Sequence, residues 1–294
     1  MFNSNLLLSR FGEQEKKQGF LQIESAKDLY YPLGYSKGAT APLYIEGKKH
    51  FIKEVKDDKL SAELISSHIF NMLLIKSAIY LPVKHGDYSE AVSNNVIDDN
   101  CLITSVYLSE LKKTLGKINP FLFSNENSFI PIDNTTRNTL ATNHAIRQNL
   151  KMNAVDLAID NWDRGYNNFG VVMKDKVIED KGLNNFEISI KDNVIEDIVL
   201  YDNEASGWNL PHKKHHNNFS FSTLSFEEII NHYKQNEEYR EYISPQELAQ
   251  TVGSIQIDTS AQEVTQVCGH QFSQEYLDFL KFNVDKTAEA LEHC

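Results

Sequence analysis

At 294 residues the chain is long enough for two lobes, and its 29 Lys and Arg against 41 Asp and Glu leave a net charge of −12, which argues against a main surface that grips nucleic acid or anionic lipid. Three widely spaced cysteines, Cys101, Cys268 and Cys294, suit neither a disulfide framework nor a zinc site, so a reducing interior is the simpler setting. The apolar run near the amino terminus is only Leu6 to Leu8, and no stretch approaches the roughly 20 apolar residues of a membrane span, so a soluble chain without a transmembrane segment is expected.

In chain order, Phe20 to Ile23 reads as a short strand and residues 30–38 as a loop rich in small residues. Gly34, Ser36 and Gly38 in that loop could let backbone amides approach phosphate oxygens, because glycine has no Cβ. A plain turn is an equal reading, since the glycine spacing matches no standard fingerprint. Leu43 to Ile45 resumes extended structure, residues 46–48 turn, and His50 to Val55 alternates so that Lys53 faces away from Ile52 and Glu54. A strand lysine there can neutralise the α and β phosphates of a nucleotide. Leu60 to Ile75 has the helical period, with Glu63 in its first turn. Glu63 is either favoured there by the helix dipole or the acid that pairs with Lys53. Ser77 to Val83 and Val96 to Val106 are further strand candidates. The second, bearing Ile103 and Ser105, would be the last strand of a small lobe and the hinge that meets adenine.

Asn134 or Thr135 can cap a helix running through Leu140, His144, Ile146 and Leu150, and the apolar stretch Met152 to Ile159 then leads into residues 160–170, Asp-Asn-Trp-Asp-Arg-Gly-Tyr-Asn-Asn-Phe-Gly. His144 reads as a packed or surface histidine. Asp163 precedes Asn168 by five residues, whereas Asp160 reads as a helix-terminal surface acid and Asn167 as a turn residue. Phe169 to Met173 and Ile195 to Leu200 can pair as a hairpin across the polar excursion Lys174 to Glu196, which sets Asp202 at a strand end, with Glu204 a further acid nearby. An Asp that orients an attacking hydroxyl, an Asn five positions on and a later Asp that hold one metal form the layout of a phosphoryl-transfer site.

His212, Lys213, Lys214, His215 and His216 form the densest basic cluster of the acidic chain. They are either a solvated loop or an anion site for a phosphoinositide, an inositol phosphate or an acidic peptide. Ser225 to Glu228 and Ser244 to Glu247 match the capping box, the second with Pro245 at the first helical position. Ser273 to Leu291 reads as a closing helix, and Cys268 and His270 as loop residues.

The motif from Asn161 to Gly170 resembles the catalytic loop of HipA-type kinases and their small bacterial relatives, and Phe51-Ile-Lys53 with the helix around Glu63 resembles the same families' strand lysine and the Glu of the following helix. Leu200 to Gly207 is similar to the metal-binding motif of the four-jointed secreted kinases. Gly165 departs from the histidine common in these families, and Asp202-Asn-Glu departs from Asp-Phe-Gly. The resemblance implies an α+β, bilobal protein-kinase-like fold, with a mixed β-rich small lobe over residues 1–106 and a mostly helical catalytic lobe over 107–294. It implies an atypical Ser/Thr kinase that uses ATP with Mg²⁺ or Mn²⁺ and transfers phosphate to a protein substrate. Lys53, Glu63 and Asp163 are then the catalytic residues, Gly34, Ser36, Gly38, Ile103 and Ser105 contact nucleotide, and Asn168 and Asp202 hold metal. A phosphoinositide kinase and a nucleotide-binding pseudokinase are the alternatives. The composition suits a cytoplasmic enzyme or a bacterial effector in a host cytosol.

Overall fold

The computed structural model describes residues 40–45, 48–55, 57–85, 88–94, 101–103, 140–162, 164, 169–173, 179–180, 186–187, 194–200, 203, 206–207, 210, 225–235 and 237–294. β1 (Thr40–Ile45) and β2 (Lys48–Glu54) pair antiparallel, with Ile45 opposite Lys48. β3 (Tyr80–His85) pairs with β4 (Tyr88–Asn94), and β4 with β2, so the sheet order is β1-β2-β4-β3. In this ladder Lys53 stands opposite Thr40 on one side and Ala91 on the other.

Between β2 and β3 runs α1 (Asp57–Met72). It starts three residues before the expected Leu60, because its first turn is polar and carries no apolar period. Glu63 consequently sits in the second turn, wholly buried, and not at a solvated helix start. All residues from Ala62 to Phe70 are buried, the condition of a helix packed on every side.

A second sheet has the order β5-β7-β10-β6, built from β5 (Cys101–Ile103), β6 (Leu140–Ala141), β7 (Phe169–Met173) and β10 (Val194–Leu200). The expected pairing of β7 with β10 is present, with Phe169 opposite Leu200 and Gly170 opposite Val199. Within the polar excursion between them, β8 (Glu179–Asp180) pairs with β9 (Phe186–Glu187). Ser77, expected to open a strand, instead makes a lone parallel bridge to Leu200. There the Ala78 N–H donates to Leu200 O at 2.7 Å and the Leu200 N–H donates to Lys76 O at 2.8 Å.

Leu140 belongs to β6, parallel to Val194 of β10, and not to a helix. The helix that follows, α2 (Asn143–Ala158), is capped by Thr142, whose Oγ1 accepts from the Ala145 N–H at 3.1 Å. Neither Asn134 nor Thr135 caps it, since pairing of residue 140 with β10 delays the start, and the Thr142 hydroxyl also donates to Glu196 O at 3.2 Å. The helix runs unbroken through Met152.

The remaining helices are α3 (Phe226–Gln235), α4 (Glu237–Tyr242), α5 (Pro245–Gly253), α6 (Ile257–Cys268) and α7 (Gln274–Glu292). Ser225 and Glu228 form both arms of a capping box, at 3.2 and 2.6 Å. Ser244 accepts from the Glu247 N–H at 3.1 Å, but the Glu247 carboxylate turns to Arg147 and Lys151 of α2. Cys268 is the buried last residue of α6, not a loop residue, and Gly269 ends that helix at φ 73° in the left-handed region.

Two apolar clusters organise the packing. The larger joins Ile65, Ile69 and Phe70 of α1 to α2 and to the carboxy-terminal helices. The smaller joins Leu60 and Leu64 of α1 to Ala78–Leu81, Val199, Val264 and Cys268. α1 thus contributes to both. Among the described residues no helix is long and apolar enough to cross a membrane.

Candidate active site

An aspartate inside an apolar helix end must find partners, because an isolated buried carboxylate is costly and a helix carboxy terminus adds unfavourable charge. Asp156, flanked by Ala154, Val155, Leu157 and Ala158 in the last turn of α2, finds three such bonds. Arg164 Nε donates to its Oδ2 at 2.9 Å, Arg164 Nη2 to its Oδ1 at 3.0 Å, and Asn161 Nδ2 to the same oxygen at 2.7 Å. Burial pushes the Asp156 carboxyl above its ordinary range, against the downward pull of Arg164 and Asn161. The Arg164 guanidinium also lies over the Phe70 ring, 5.5 Å from its centre.

From Arg164 the network continues. Its Nη2 donates to Asn203 Oδ1 at 2.6 Å, and Asn203 Nδ2 donates to Ser77 Oγ at 3.3 Å. The Asn203 N–H donates to Glu63 Oε2 at 2.9 Å. One residue from each of α1, the loop after α2 and the segment after β10 therefore meets in a buried cluster. Beside it the Ser66 and Ser206 hydroxyls hydrogen-bond each other, and the Gly207 N–H donates to Ile159 O at 2.9 Å. Gly207 has φ 68°, and a Cβ built there would lie 2.6 Å from Cε2 of Tyr276. Only glycine satisfies both conditions.

Asp160 is buried, with φ 58°, and its Oδ1 accepts from Trp162 Nε1, so it is not a surface acid. The left-handed turn, which Asp tolerates, folds its carboxylate back onto the indole. His144 is exposed, 3.6 Å from Asp197. His270, expected to be a plain loop residue, bonds Ser61 at 2.8 Å.

Of the residues singled out in the sequence, Glu63 lies in the cluster, while Lys53 and Ile103 are described through their strands, Ile103 opposite Gly170. Gly34, Ser36, Gly38, Ser105, Asp163, Gly165, Asn167, Asn168, Asp202, Glu204 and residues 212–216 lie outside the described residues, as does the strand expected at residues 20–23. Among the described residues no group of three His, Cys, Asp or Glu is placed to hold a metal ion. Asp156, Asn161, Arg164, Ser77 and Asn203 are the members that sequence reasoning missed. The one signal for them was an acid embedded in the apolar run 152–159.

No family model and no curated protein matches the chain. Solved structures do show likeness. The chain is similar to a proinflammatory kinase, CtkA, of Helicobacter pylori, with a TM-score of 0.49 and 10% identity over 88% of this chain and 92% of that one. It is also similar to a chain of the Shewanella oneidensis toxin–antitoxin complex of HipA, HipB and operator DNA, with a TM-score of 0.43 and 12% identity over 99% of this chain and 71% of that one.

Proposed function

We propose that the chain is an atypical, two-lobed Ser/Thr protein kinase that transfers the γ-phosphate of ATP to a hydroxyl of a protein substrate. The observation that carries this reading is the 2.6 Å bond between Arg164 and Asn203, inside a buried cluster that includes Glu63. Arg164 directly follows Asp163, Asn203 directly follows Asp202, and adjacent Cα atoms are about 3.8 Å apart. A bond between the two successors supports the reading that the two acids serve one site, although 38 residues of chain separate them in the sequence.

In this mechanism Asp163 accepts a hydrogen bond from the acceptor hydroxyl and aims its oxygen at the phosphorus, in line with the leaving oxygen. Lys53 and the loop around Gly34, Ser36 and Gly38 hold the phosphates, with Glu63 orienting Lys53, while backbone groups at Ile103 and Ser105 meet the adenine. Asn168 and Asp202 offer hard oxygen donors, a set that suits Mg²⁺ or Mn²⁺. Held there, such an ion would supply charge neutralisation to the nucleotide phosphates. Positioning and charge neutralisation supply the rate.

Incubation with γ-labelled ATP, Mg²⁺ or Mn²⁺ and protein acceptors tests the reading. Asp163→Asn should lower transfer by about 10²-fold or more while a metal-dependent thermal shift with ATP persists. Undiminished transfer by that variant would overturn the assignment.

A further inference from the structure

Residues three, four and seven apart share one face of a helix, and α1 shows two such faces to two distant parts of the chain. Glu63, Ser66 and Phe70 form the first. Glu63 accepts the Asn203 N–H, Ser66 bonds Ser206, and Phe70 lies under Arg164. Ser61, Leu64 and His68 form the opposite face, turned toward α6. Ser61 Oγ is 2.8 Å from His270 Nε2, and His68 Nε2 is 2.9 Å from Glu263 Oε2. Leu64 shares an apolar cluster with Val264 and Cys268. The partners are 209 and 195 residues away in sequence.

The α6 side of this contact is itself held in place. Gly269 ends the helix in the left-handed region, Thr265 Oγ1 donates to His270 O at 2.7 Å, and the His270 ring meets Phe272 edge-on at 4.9 Å. Ser61 and His68 are seven residues apart, about 10 Å along the helix axis. One tie would leave a pivot, whereas two at that spacing oppose both sliding and tilting.

We infer that α6 and the turn after it clamp α1 from behind, so that Glu263 and His270 are positioning residues that set the Glu63–Asn203 bond. The role in phosphate transfer rests on the kinase reading; the clamp itself does not.

Hydrogen exchange at the Asn203 amide of the full-length protein is the direct test, because that N–H ends on Glu63 at the far side of α1. In the double variant E263A/H270A it should exchange about tenfold faster or more, the effect expected from losing hydrogen bonds of ordinary strength, while the amides of α5 and α7 keep their protection. E263Q, whose amide oxygen still accepts from His68, should stay near wild type. Should the double variant not fold, E263A alone at a part-exposed side chain gives the same reading. Unchanged exchange at Asn203, or uniform acceleration at all amides, would overturn the clamp. In transfer assays the double variant should lose kcat severalfold with little change in KM for ATP. A wild type without transfer would remove the kinase reading, and the exchange result would still decide the clamp.

Discussion

Asp156→Ala strands a guanidinium. In the native chain the Arg164 and Asp156 side chains are only 3% and 7% exposed, and two N–H groups of Arg164 plus one of Asn161 end on that carboxylate. Removing one partner of a buried ion pair leaves an uncompensated charge and costs about 3–5 kcal/mol. Set against a whole-domain stability of about 5–15 kcal/mol, that is a large share, and urea unfolding followed by tryptophan fluorescence should show it as a lower midpoint. Asp156→Leu with Arg164→Met replaces both charges by apolar groups of similar size. Part of the lost stability should return, because the desolvation of two ions disappears. Phosphate transfer should stay low in the double variant, because it has no guanidinium to bond Asn203. A loss below about 1 kcal/mol for Asp156→Ala, the scale of an exposed pair, would refute the reasoning by showing that the cluster admits water.

Three further outcomes are expected. Gly207→Ala should destabilise by at least about 1–2 kcal/mol from its left-handed backbone alone, more if the Tyr276 ring cannot move aside, measured by thermal unfolding with and without Tyr276→Leu. Burial holds the His68 imidazole below the ordinary 6.5, against the raising pull of Glu263. The unfolded chain therefore takes up that proton first, and the contribution of His68 is complete above pH 6.5 and falls away as pH drops below it. His68→Gln should flatten the stability profile in that window, where one such group can contribute a slope of up to about 1.4 kcal/mol per pH unit. Ser273→Ala removes the acceptor for the Tyr276 N–H at the start of α7 and should cost about 1 kcal/mol in denaturant titration.

The parts of the fold legible in the sequence are those in which a single segment states its own case. β7 and β10 carry enough apolar residues to be read alone, β2 shows itself by the alternation around Ile52 and Lys53, and Ser225, Ser244 and Ser273 stand where helix caps are needed. β4 does not announce itself, since Tyr-Ser-Glu-Ala-Val-Ser-Asn is mostly polar and its extended form comes from ladders with β2 on one side and β3 on the other. Thr142 competes with Asn134 and Thr135 as equally good caps, and the choice is made by β10, more than 50 residues on. The cluster was least legible. Asp156 and Asp160 are acids next to an acidic loop, and burial distinguishes them only once Arg164 and Trp162 close over them. Asn203 looks like a spacer until its partners, 39 and 140 residues away, come into contact. The spacing from Asp163 to Asn168 could be seen in the sequence, but the bonds that hold the neighbouring residues could not.

Leu200 is bracketed by backbone on two sides, Phe169 across one edge of β10 and residues 76–78 across the other. Neither edge is complete without the other part of the chain, and the smaller apolar cluster likewise mixes residues 55–91 with Val199, Val264 and Cys268. A chain severed between residues 104 and 139 would leave Ile65, Ile69, Phe70 and Ile75 in one fragment and the rest of the larger cluster in the other, so that each exposes part of a shared interior. Mixing the two fragments and following the recovery of tryptophan fluorescence would measure how far that shared interior alone can reassemble the fold.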